Sequence, residues 1–424
     1  MMTESLKTTM QRKLVMAIEN TKKCIEACLD ASELRIDEKA FTRKRSLGAK
    51  RILHLILHRI YHSLQLCLDK YFEGIDLLPV SKQAFSQARK HLNPEYVRGF
   101  ADMTSELAAQ DNMMPNYNGM RLIAIDGSDI ALENTPELKE AFGCSGPKNN
   151  AATALCSIAY GPLDHAIYDC RIDRYTADER SLAKAHVNRL LELGLGGSLL
   201  LFDRGYPSSE FIAFLYESGF QFVMRLRNKF NLDADDIKTQ GWINLKNNDK
   251  EYRVRILKLT LNNGEMETLV TSLNQSQLPI RNAGALYFER WKVEGAYDLL
   301  KSKLELENFS GKTKVSVLQD FYATMYLANI ASFAAEEADE FIADADKYKK
   351  LKHSRKASRT RTISKLRDTF LDLITEQDVA KRNAMLDKLV SDISKYPIQI
   401  VPNRSPERKM PRKKRFFIAR RSVV

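Results

Sequence analysis

The sequence lacks any long hydrophobic run. No apolar stretch in its 424 residues approaches the roughly 20 residues that a helix needs to cross a bilayer. Its first residues, Met-Met-Thr-Glu-Ser-Leu-Lys, also lack the basic and then apolar layout of a secretory signal. We therefore expect a cytoplasmic protein with no membrane partner. Hydrophobic residues make up 44% and charged residues 28% of the chain, a composition typical of globular proteins large enough for several domains.

Cysteine is scarce and scattered. The six cysteines include no C-x-x-C pair, and Cys24 and Cys28, one helical turn apart, lack the partners of a zinc site. We interpret them as reduced, buried thiols. His54, His58 and His62 recur at every fourth residue, a spacing that could bind metal. Because no fourth ligand is nearby, core or surface histidines are the simpler interpretation.

Most of the chain has no excess of basic residues over acidic ones. Residues 1–346 contain 43 Lys and Arg against 47 Asp and Glu, whereas residues 347–424 contain 23 against 7. A basic block of this kind usually contacts nucleic acid, although a solvated tail would have the same composition. The charge distribution therefore favours a nucleic-acid partner.

Residue periodicity predicts an α/β protein with helical regions at both ends. A short helix over Lys82 to His91 is predicted after the N-cap Ser81, with Arg89 and Lys90 facing outward. Such a helix could enter a DNA groove or be an ordinary surface helix. The predicted regions are 1–110, helical and DNA-binding; 111–227, the first part of an α/β core; 228–280, a β-rich insertion; 281–345, the rest of the core; and 346–424, basic and helical with a tail.

Two predicted strands end in aspartate. The strand Leu122 to Ile125 is followed by Asp126, and the strand Gly197 to Phe202 is followed by Asp203. Carboxylates at strand ends are held rigidly and can bind Mg²⁺ through hard oxygen ligands. A strand-end aspartate is more often a turn or cap residue, however. Other acids compete for the same role, and spacing does not choose among them: Asp129, Asp173, Asp178 and Glu179.

A helix predicted over Tyr287 to Lys301 carries an unusual set of side chains near one face. Glu294 lies there among two cations and two phenols: Arg290, Lys301, Tyr287 and Tyr297. One acid between Arg and Lys suits a site that handles metal and phosphate together. An amphipathic helix with ordinary i,i+4 ion pairs is the alternative.

The spacing of these residues resembles a known family. Tyr287-x2-Arg290-x3-Glu294-x6-Lys301 matches every gap of the Y-R-E-K signature of the insertion-sequence-four transposase family. The segments that contain Asp126 (Ile-Ala-Ile-Asp-Gly-Ser) and Asp203 (Phe-Asp-Arg-Gly-Tyr) resemble the family's first and second catalytic blocks. Gaps of 77 residues between the two aspartates and 91 to the glutamate also fit. The resemblance covers roughly residues 80–310.

The resemblance implies a ribonuclease-H-like catalytic core with a β-rich insertion. It implies a catalytic DDE triad that binds two Mg²⁺ ions, for which Mn²⁺ is expected to substitute, formed by Asp126, Asp203 and Glu294. It also implies that three signature residues bind phosphates at the transposon end: Tyr287, Arg290 and Lys301. This agrees with the chemistry of the side chains, since Arg can fork a phosphate and Lys supplies a point charge.

The implied reaction is cut-and-paste DNA transposition. Water cuts one strand at the transposon end, the freed 3′-hydroxyl forms a hairpin with the opposite strand, and the reopened end joins target DNA. A hairpin needs a base turned out of the stack, for which Trp242 in the insertion is the aromatic candidate. Partners would be double-stranded DNA, with terminal inverted repeats and target, and a second copy in a homodimer. The setting implied is the nucleoid of a bacterial cytoplasm.

Two alternatives share the fold without the full reaction. One is a catalytically inactive DNA-binding relative or transposition inhibitor, which the intact acids and signature argue against without excluding. The other is a structure-selective nuclease that cuts DNA without joining it. The sequence leaves both open.

Overall fold

The computed structural model describes residues 12–43, 45–59, 63–111, 115–146, 150–228, 230–261 and 264–401. The predicted basic tail, residues 402–424, lies outside these ranges. The helices are α1 Lys13–Glu26, α2 Ala49–His58, α3 Leu64–Glu73, α4 Lys82–Arg89, α5 Pro94–Gln110, α6 Pro136–Phe142, α7 Glu179–Glu192, α8 Ser209–Glu217, α9 Leu232–Asp236, α10 Ile280–Phe288, α11 Lys292–Ser302, α12 Lys314–Asp346, α13 Arg359–Thr375 and α14 Val379–Ser394. The strands are β1 Leu122–Ala131, β2 Cys144–Ser145, β3 Ala151–Tyr160, β4 Ile167–Arg174, β5 Leu199–Phe202, β6 Gln221–Arg225, β7 Gln240–Asn247, β8 Lys250–Thr260, β9 Met266–Thr271, β10 Arg355–Lys356 and β11 Ile398–Gln399. Short 3₁₀ helices span Cys28–Asp30, Ser32–Leu34 and Glu289–Trp291.

The core of the described structure is one mixed sheet of nine strands, as the predicted α/β class requires. Its order is β3-β1-β5-β6-β9-β8-β7, with β2 and β4 both paired to the outer side of β3. Strands β1, β5 and β6 run parallel to one another, and the other pairs are antiparallel. The four residues of β5, Leu-Leu-Leu-Phe, are all buried, as expected for a central parallel strand covered on both faces.

Strand β1 is longer than its hydrophobic run predicts. The sequence analysis ended it at Ile125, but β1 continues through Asp126 to Ala131. The cause is its partner: β3 pairs with β1 as far as Ala131↔Thr153, whereas parallel pairing with β5 stops at Ala124↔Leu201. Asp126 therefore still pairs with β3, but it lies beyond the last residue of β1 that pairs with β5.

The segment predicted as a β-rich insertion extends the core sheet. Strands β7, β8 and β9 lie within residues 228–280, and β9 joins the sheet by antiparallel pairing with β6, as at Val223↔Thr271. Strands β8 and β9 are neighbours in the chain and pair antiparallel, and residues 262–263 between them lie outside the described ranges. Strand β7 forms the edge of the sheet.

Helix α12 links the two ends of the chain. It packs against α5 and α2 from the N-terminal region and α13 and α14 from the C-terminal region. Arg89, predicted to face outward from α4, is instead only 2% exposed. Its guanidinium contacts the carboxylate of Asp320 on α12 at 2.9 Å and the amide oxygen of Gln319 at 2.8 Å. The paired acid offsets the cost of burying the charge, and so Arg89 is a packing residue of α4.

The cysteines and the apolar helices were also subjects of prediction. All six cysteines are free thiols, as the scattered spacing predicted. The predicted burial is confirmed for Cys28, Cys156 and Cys170 but is wrong for Cys24, which is exposed, and for Cys67 and Cys144, which are partly exposed. Among the described residues, no helix is both long and apolar enough to cross a membrane.

Candidate active site

Asp126 and Asp203 lie at the same edge of two neighbouring parallel strands. Parallel pairing of β1 with β5 ends at Ala124↔Leu201. Asp126 follows two residues after Ala124, and Asp203 comes directly after Phe202, the last residue of β5. Because the carboxyl ends of parallel strands open at one edge of a sheet, this edge is the usual place for a ligand site. The structure thus brings the two predicted aspartates together.

Glu294 lies near the start of α11, and the helix predicted over Tyr287 to Lys301 is interrupted before it. Helix α10 ends at Phe288, and a 3₁₀ turn over Glu289–Trp291 precedes α11. The Arg290 guanidinium carbon lies 5.7 Å from the centroid of the Tyr287 ring and 4.6 Å from that of Trp291. Arg290 therefore lies against two aromatic rings of its own segment.

Arg290 lies between the predicted catalytic carboxylates. Its Nη1 is 3.7 Å from an Asp126 oxygen, and its Nη2 is 3.3 Å from an oxygen of Glu294. The residue is only 2% exposed. Burial opposes the charged form, yet the pKa of Arg290 is raised because Tyr287 and the acids, Asp203 included, favour its charge. In this structure the arginine predicted to bind phosphate bridges two members of the predicted triad.

The site concentrates negative charge. Burial raises the pKa of Asp126 to about 7, which Arg290 and the N–H of Gly127 oppose and the charges of Asp203 and Glu294 increase. These groups supply the hard oxygen donors that divalent cations prefer. Among the residues that the structure describes, however, no three acids, histidines or cysteines are close enough to hold an ion together. The donor chemistry suits a divalent cation, whereas in this structure the Arg290 guanidinium contacts the carboxylates of both Asp126 and Glu294.

Two tyrosine hydroxyls of the signature segment, residues 287–301, donate hydrogen bonds to backbone next to or at the predicted catalytic aspartates. Tyr287 donates a hydrogen bond to the carbonyl of Phe202 at 3.2 Å, one residue before Asp203. Tyr297, one turn after Glu294, donates to the carbonyl of Asp126 at 2.8 Å. Tyr287 is 2% exposed, so its hydroxyl contacts backbone where the resemblance implied phosphate. The i+3 spacing from Glu294 was the signal that could have identified Tyr297 as a positioning residue.

Tyr297→Phe removes the hydroxyl that donates to the Asp126 carbonyl and leaves the aromatic ring in place. A hydrogen bond of this kind contributes on the order of 1 kcal/mol, and more when a buried acceptor is left without its donor. We expect the free energy of unfolding to fall by about 1–2 kcal/mol, measured by urea denaturation. The exposed phenol Tyr396→Phe is the matched control, since Tyr396 is 65% exposed. Equal stability of the Tyr297 variant and wild type would contradict the role.

The remaining predicted residues lie further away. Lys301 donates to Ser128 Oγ at 2.8 Å and to the carbonyl of Asp129 at 2.6 Å, further along β1. Trp242 is on the edge strand β7, five strand positions from β1, or about 24 Å at roughly 4.8 Å a strand. It is 41% exposed and lies against the guanidinium of Arg253, 4.9 Å from the ring centroid.

Glu267 on β9 is a further acid near the site that the sequence did not predict. This residue is 7% exposed and contacts Arg225 at 3.3 Å. Burial raises the pKa of Glu267, while Arg225 and Arg290 lower it and Asp203 raises it further. Glu267 therefore faces the site from the predicted insertion. Nothing in the sequence signals this, because it depends on β9 pairing with β6.

A buried hydrogen-bond network supports β1 from the side of α7. His186 contacts Asp169 at 2.7 Å and Ser157 at 2.9 Å, and Ser157 donates to the carbonyl of Asp126 at 3.3 Å. The residue types are those of a nucleophilic triad. Ser157 is only 2% and His186 0% exposed, so no substrate reaches them. The network positions the Asp126 strand.

Asp169 gives this network a pH dependence. Burial alone would raise the pKa of Asp169, but His186 and then Arg171 hold it below the ordinary value. A depressed carboxylate pKa stabilises the fold above the unfolded pKa of about 3.9. That stability is lost as pH falls through the folded value. Asp169→Asn should therefore lower the free energy of unfolding at pH 7 by about 3 kcal/mol and remove part of the acid sensitivity, measured by thermal melts from pH 3 to pH 7. Unchanged acid sensitivity would contradict this.

The fold and the site define an α/β protein with acids at the ends of two adjacent parallel strands and a third predicted acid on a neighbouring helix. The sequence model described as "Transposase DDE domain" matches residues 117–330, half of the chain. The protein belongs to this family of transposase DDE domains. The family resemblance inferred from the signature is thereby confirmed.

Named relatives support the same family. The chain is 23% identical over 313 residues to the transposase InsG for insertion sequence element IS4 of Escherichia coli K12, a match covering 68% of this chain and 66% of InsG. It is 24% identical over 196 residues to the putative transposase InsZ of the same strain, covering 44% of this chain and 63% of InsZ. Both matches thus span slightly less than two thirds of the relative. The cryo-EM structure of the piggyBac transposase synaptic complex with hairpin DNA is 12% identical, with a TM-score of 0.46 over 93% of this chain and 85% of that one.

Proposed function

We propose that the protein is a DDE transposase that cuts an insertion sequence out of DNA and joins it to a target. In this proposal Asp126, Asp203 and Glu294 are the catalytic carboxylates. The observation that carries it is the placement of Asp126 and Asp203 at one edge of adjacent parallel strands, with Arg290 joining Asp126 to Glu294 at 3.7 and 3.3 Å. The competing acid Asp129 is exposed and lies further along β1.

The proposed core is ribonuclease-H-like. Support comes from the strand order β4-β3-β1-β5-β6, with β3 antiparallel to β1 and with β5 and β6 parallel to it. This core would comprise residues 111–227 and 281–345, with the strands of residues 228–280 added at one side. The helical N-terminal region, residues 1–110, and the basic region, residues 346–424, would bind DNA.

The three carboxylates would hold divalent cations, two Mg²⁺ or Mn²⁺ ions. Bound there, such ions supply charge neutralisation at the attacking and leaving oxygens of a phosphodiester. The protein's own part is positioning. Tyr287 and Tyr297 hold the backbone beside Asp203 and Asp126. Arg290 can fork a phosphate only if its guanidinium leaves one of the acids that it now contacts.

The proposed reaction begins with hydrolysis at a transposon end. The released 3′-hydroxyl then forms and reopens a hairpin and finally attacks target DNA. A turned-out base could stack on Trp242. Strand β7, which carries Trp242, lies about 24 Å from β1 at roughly 4.8 Å a strand, so the base would have to reach that far from the carboxylates. Trp242 therefore stays a prediction. Lys301 would contribute a phosphate contact near Ser128, from which its ammonium is 2.8 Å away.

The partners proposed are the terminal inverted repeats of the element, target DNA and a second copy of the chain. Two ends must be held together for excision, and a twofold dimer is the simplest way to do so. Residues 347–424 contain 23 Lys and Arg but only 7 Asp and Glu. This positive charge supports DNA binding by that region.

The deciding experiment uses DNA that carries the inverted repeats flanking the gene. With Mg²⁺, the protein should nick these ends, give a hairpin species on denaturing gels, and join pre-cut ends to a plasmid. Cutting without joining would instead identify a structure-selective nuclease. Specific end binding without any cutting, in Mg²⁺ or Mn²⁺, would identify an inactive relative or inhibitor.

A further inference from the structure

Strand β1 continues past the point where its pairing with β5 ends. Parallel pairing stops at Ala124↔Leu201, whereas β1 extends to Ala131. The ammonium of Lys301 on α11 donates to the carbonyl of Asp129 at 2.6 Å, in the part of β1 that no longer pairs with β5. A cation from the signature segment thus contacts this strand a short distance beyond the first predicted catalytic aspartate.

Ser128 lies on the same face of β1 as Asp126. Side chains two residues apart on a strand point to one face and are separated by about 7 Å, at roughly 3.4 Å a residue. The Lys301 ammonium donates to Ser128 Oγ at 2.8 Å. Ser128 is partly exposed, so DNA at the site has access to its hydroxyl. The serine is therefore close to the predicted catalytic aspartate and in contact with the predicted phosphate-binding lysine.

The hydrogen bond from Lys301 determines how the Ser128 hydroxyl can act. An ammonium group only donates, so the serine oxygen accepts this bond and the hydroxyl keeps its own hydrogen as a donor. Lysine ammonium groups and serine hydroxyls both bind the phosphate oxygens of DNA, and hydrogen bonds to a charged acceptor are the stronger kind. The two adjacent side chains are therefore suited to one phosphodiester.

We propose that Ser128 is a DNA-phosphate-binding residue that donates its hydroxyl hydrogen to the same backbone phosphate as Lys301. Its oxygen accepts from Lys301 and holds the ammonium beside β1. Because Ser128 is about 7 Å along the strand from Asp126, at roughly 3.4 Å a residue, this phosphate lies close to the one that is cut. The inference rests on the proposed function, because it takes the DNA at this edge to be a transposon end.

The test measures binding of labelled transposon-end DNA by fluorescence anisotropy, in EDTA so that no strand is cut. Ser128→Ala should weaken binding by about tenfold, the effect of one hydrogen bond to a charged group, with a nearly unchanged melting temperature. Ser128→Thr keeps the hydroxyl and should bind like wild type. The matched control is Ser302→Ala, which removes an exposed hydroxyl next to Lys301 on α11 and should also bind like wild type.

Uncharged methylphosphonate links, placed one at a time in the DNA end, identify the phosphate. At one position the neutral link should weaken binding by wild type more than binding by Ser128→Ala or Lys301→Ala, because the lost contacts are shared. If Ser128→Ala bound like wild type, or gave the wild-type response to every link, this inference would be wrong and the proposed function would stand. If wild type bound the inverted repeats no better than unrelated DNA, the proposed function would fail and this inference with it.

Discussion

Replacement of Asp126, Asp203 or Glu294 by its amide is expected to reduce cleavage of transposon-end DNA by about a hundredfold to a thousandfold, while specific DNA binding is kept. Removing one group that stabilises developing charge in a transition state costs about 10²–10³ in rate. An amide is also a poor substitute for a carboxylate as a ligand of hard cations. Single-turnover cleavage of end-labelled DNA in Mg²⁺ measures the effect.

The matched control for this series is Asp129→Asn. Asp129 lies on the same strand as Asp126, three residues later, and is exposed. It competes with Asp126 in the sequence but does not lie at the end of the parallel pairing. We expect this variant to cut like wild type. Wild-type cutting by any of the three amide variants would instead remove that residue from the triad.

Stability distinguishes a catalytic loss from a folding defect. Because the folded pKa of Asp126 is raised to about 7, the folded state keeps a proton there that the unfolded chain loses near its usual pKa of about 3.9. Stability in metal-free buffer should therefore fall as pH rises between about 4 and about 7. Asp126→Asn removes this loss, so the variant should melt at or above the wild-type temperature at pH 7.5. A lower melting temperature would contradict the raised pKa.

Local sequence features predicted the elements that carry the site. The apolar run before Asp203 is a fully buried central strand, as its composition predicted. That prediction depends only on residues adjacent in the chain. The end of β1 was predicted wrongly because it depends on β3, a partner that continues to pair after β5 has stopped. Apolar composition reports burial, and it cannot report which neighbour a polar residue pairs with.

Long-range contacts explain the other differences. Arg89 looked like a surface cation because a helical pattern does not show that Asp320, 231 residues later, would lie opposite it. The 3₁₀ turn before Glu294 and the buried hydroxyl of Tyr297 likewise depend on the packing of α10 and α11 onto the sheet. The motif spacing identified the residues of the candidate site, whereas their contacts required the fold.

Arg290 should show the opposite behaviour to the carboxylates. Because its guanidinium contacts Asp126 at 3.7 Å and Glu294 at 3.3 Å, it competes with cations for these acids, and the acids compete with DNA phosphate for its guanidinium. Arg290→Ala should weaken binding of the transposon end by about 10–100-fold, the value of charge-assisted hydrogen bonds worth about 1.5–3 kcal/mol. Mn²⁺ affinity should be equal to wild type or higher, since the carboxylates lose a competing cation.

The variant Arg290→Lys distinguishes the effect of the positive charge from that of the planar guanidinium. Arg290→Lys keeps the positive charge but loses the planar fork, and we expect Mn²⁺ affinity near wild type with end binding between that of wild type and alanine. Lys292→Ala is the matched control, since the Lys292 side chain is 41% exposed and pairs with Glu289 in the same segment. Circular dichroism checks folding, because removing one partner of a buried ion pair costs about 3–5 kcal/mol. If Arg290→Ala lost Mn²⁺ binding as severely as DNA binding while remaining folded, Arg290 would be a structural support of the acids, and the signature segment would lose its proposed role at the DNA end.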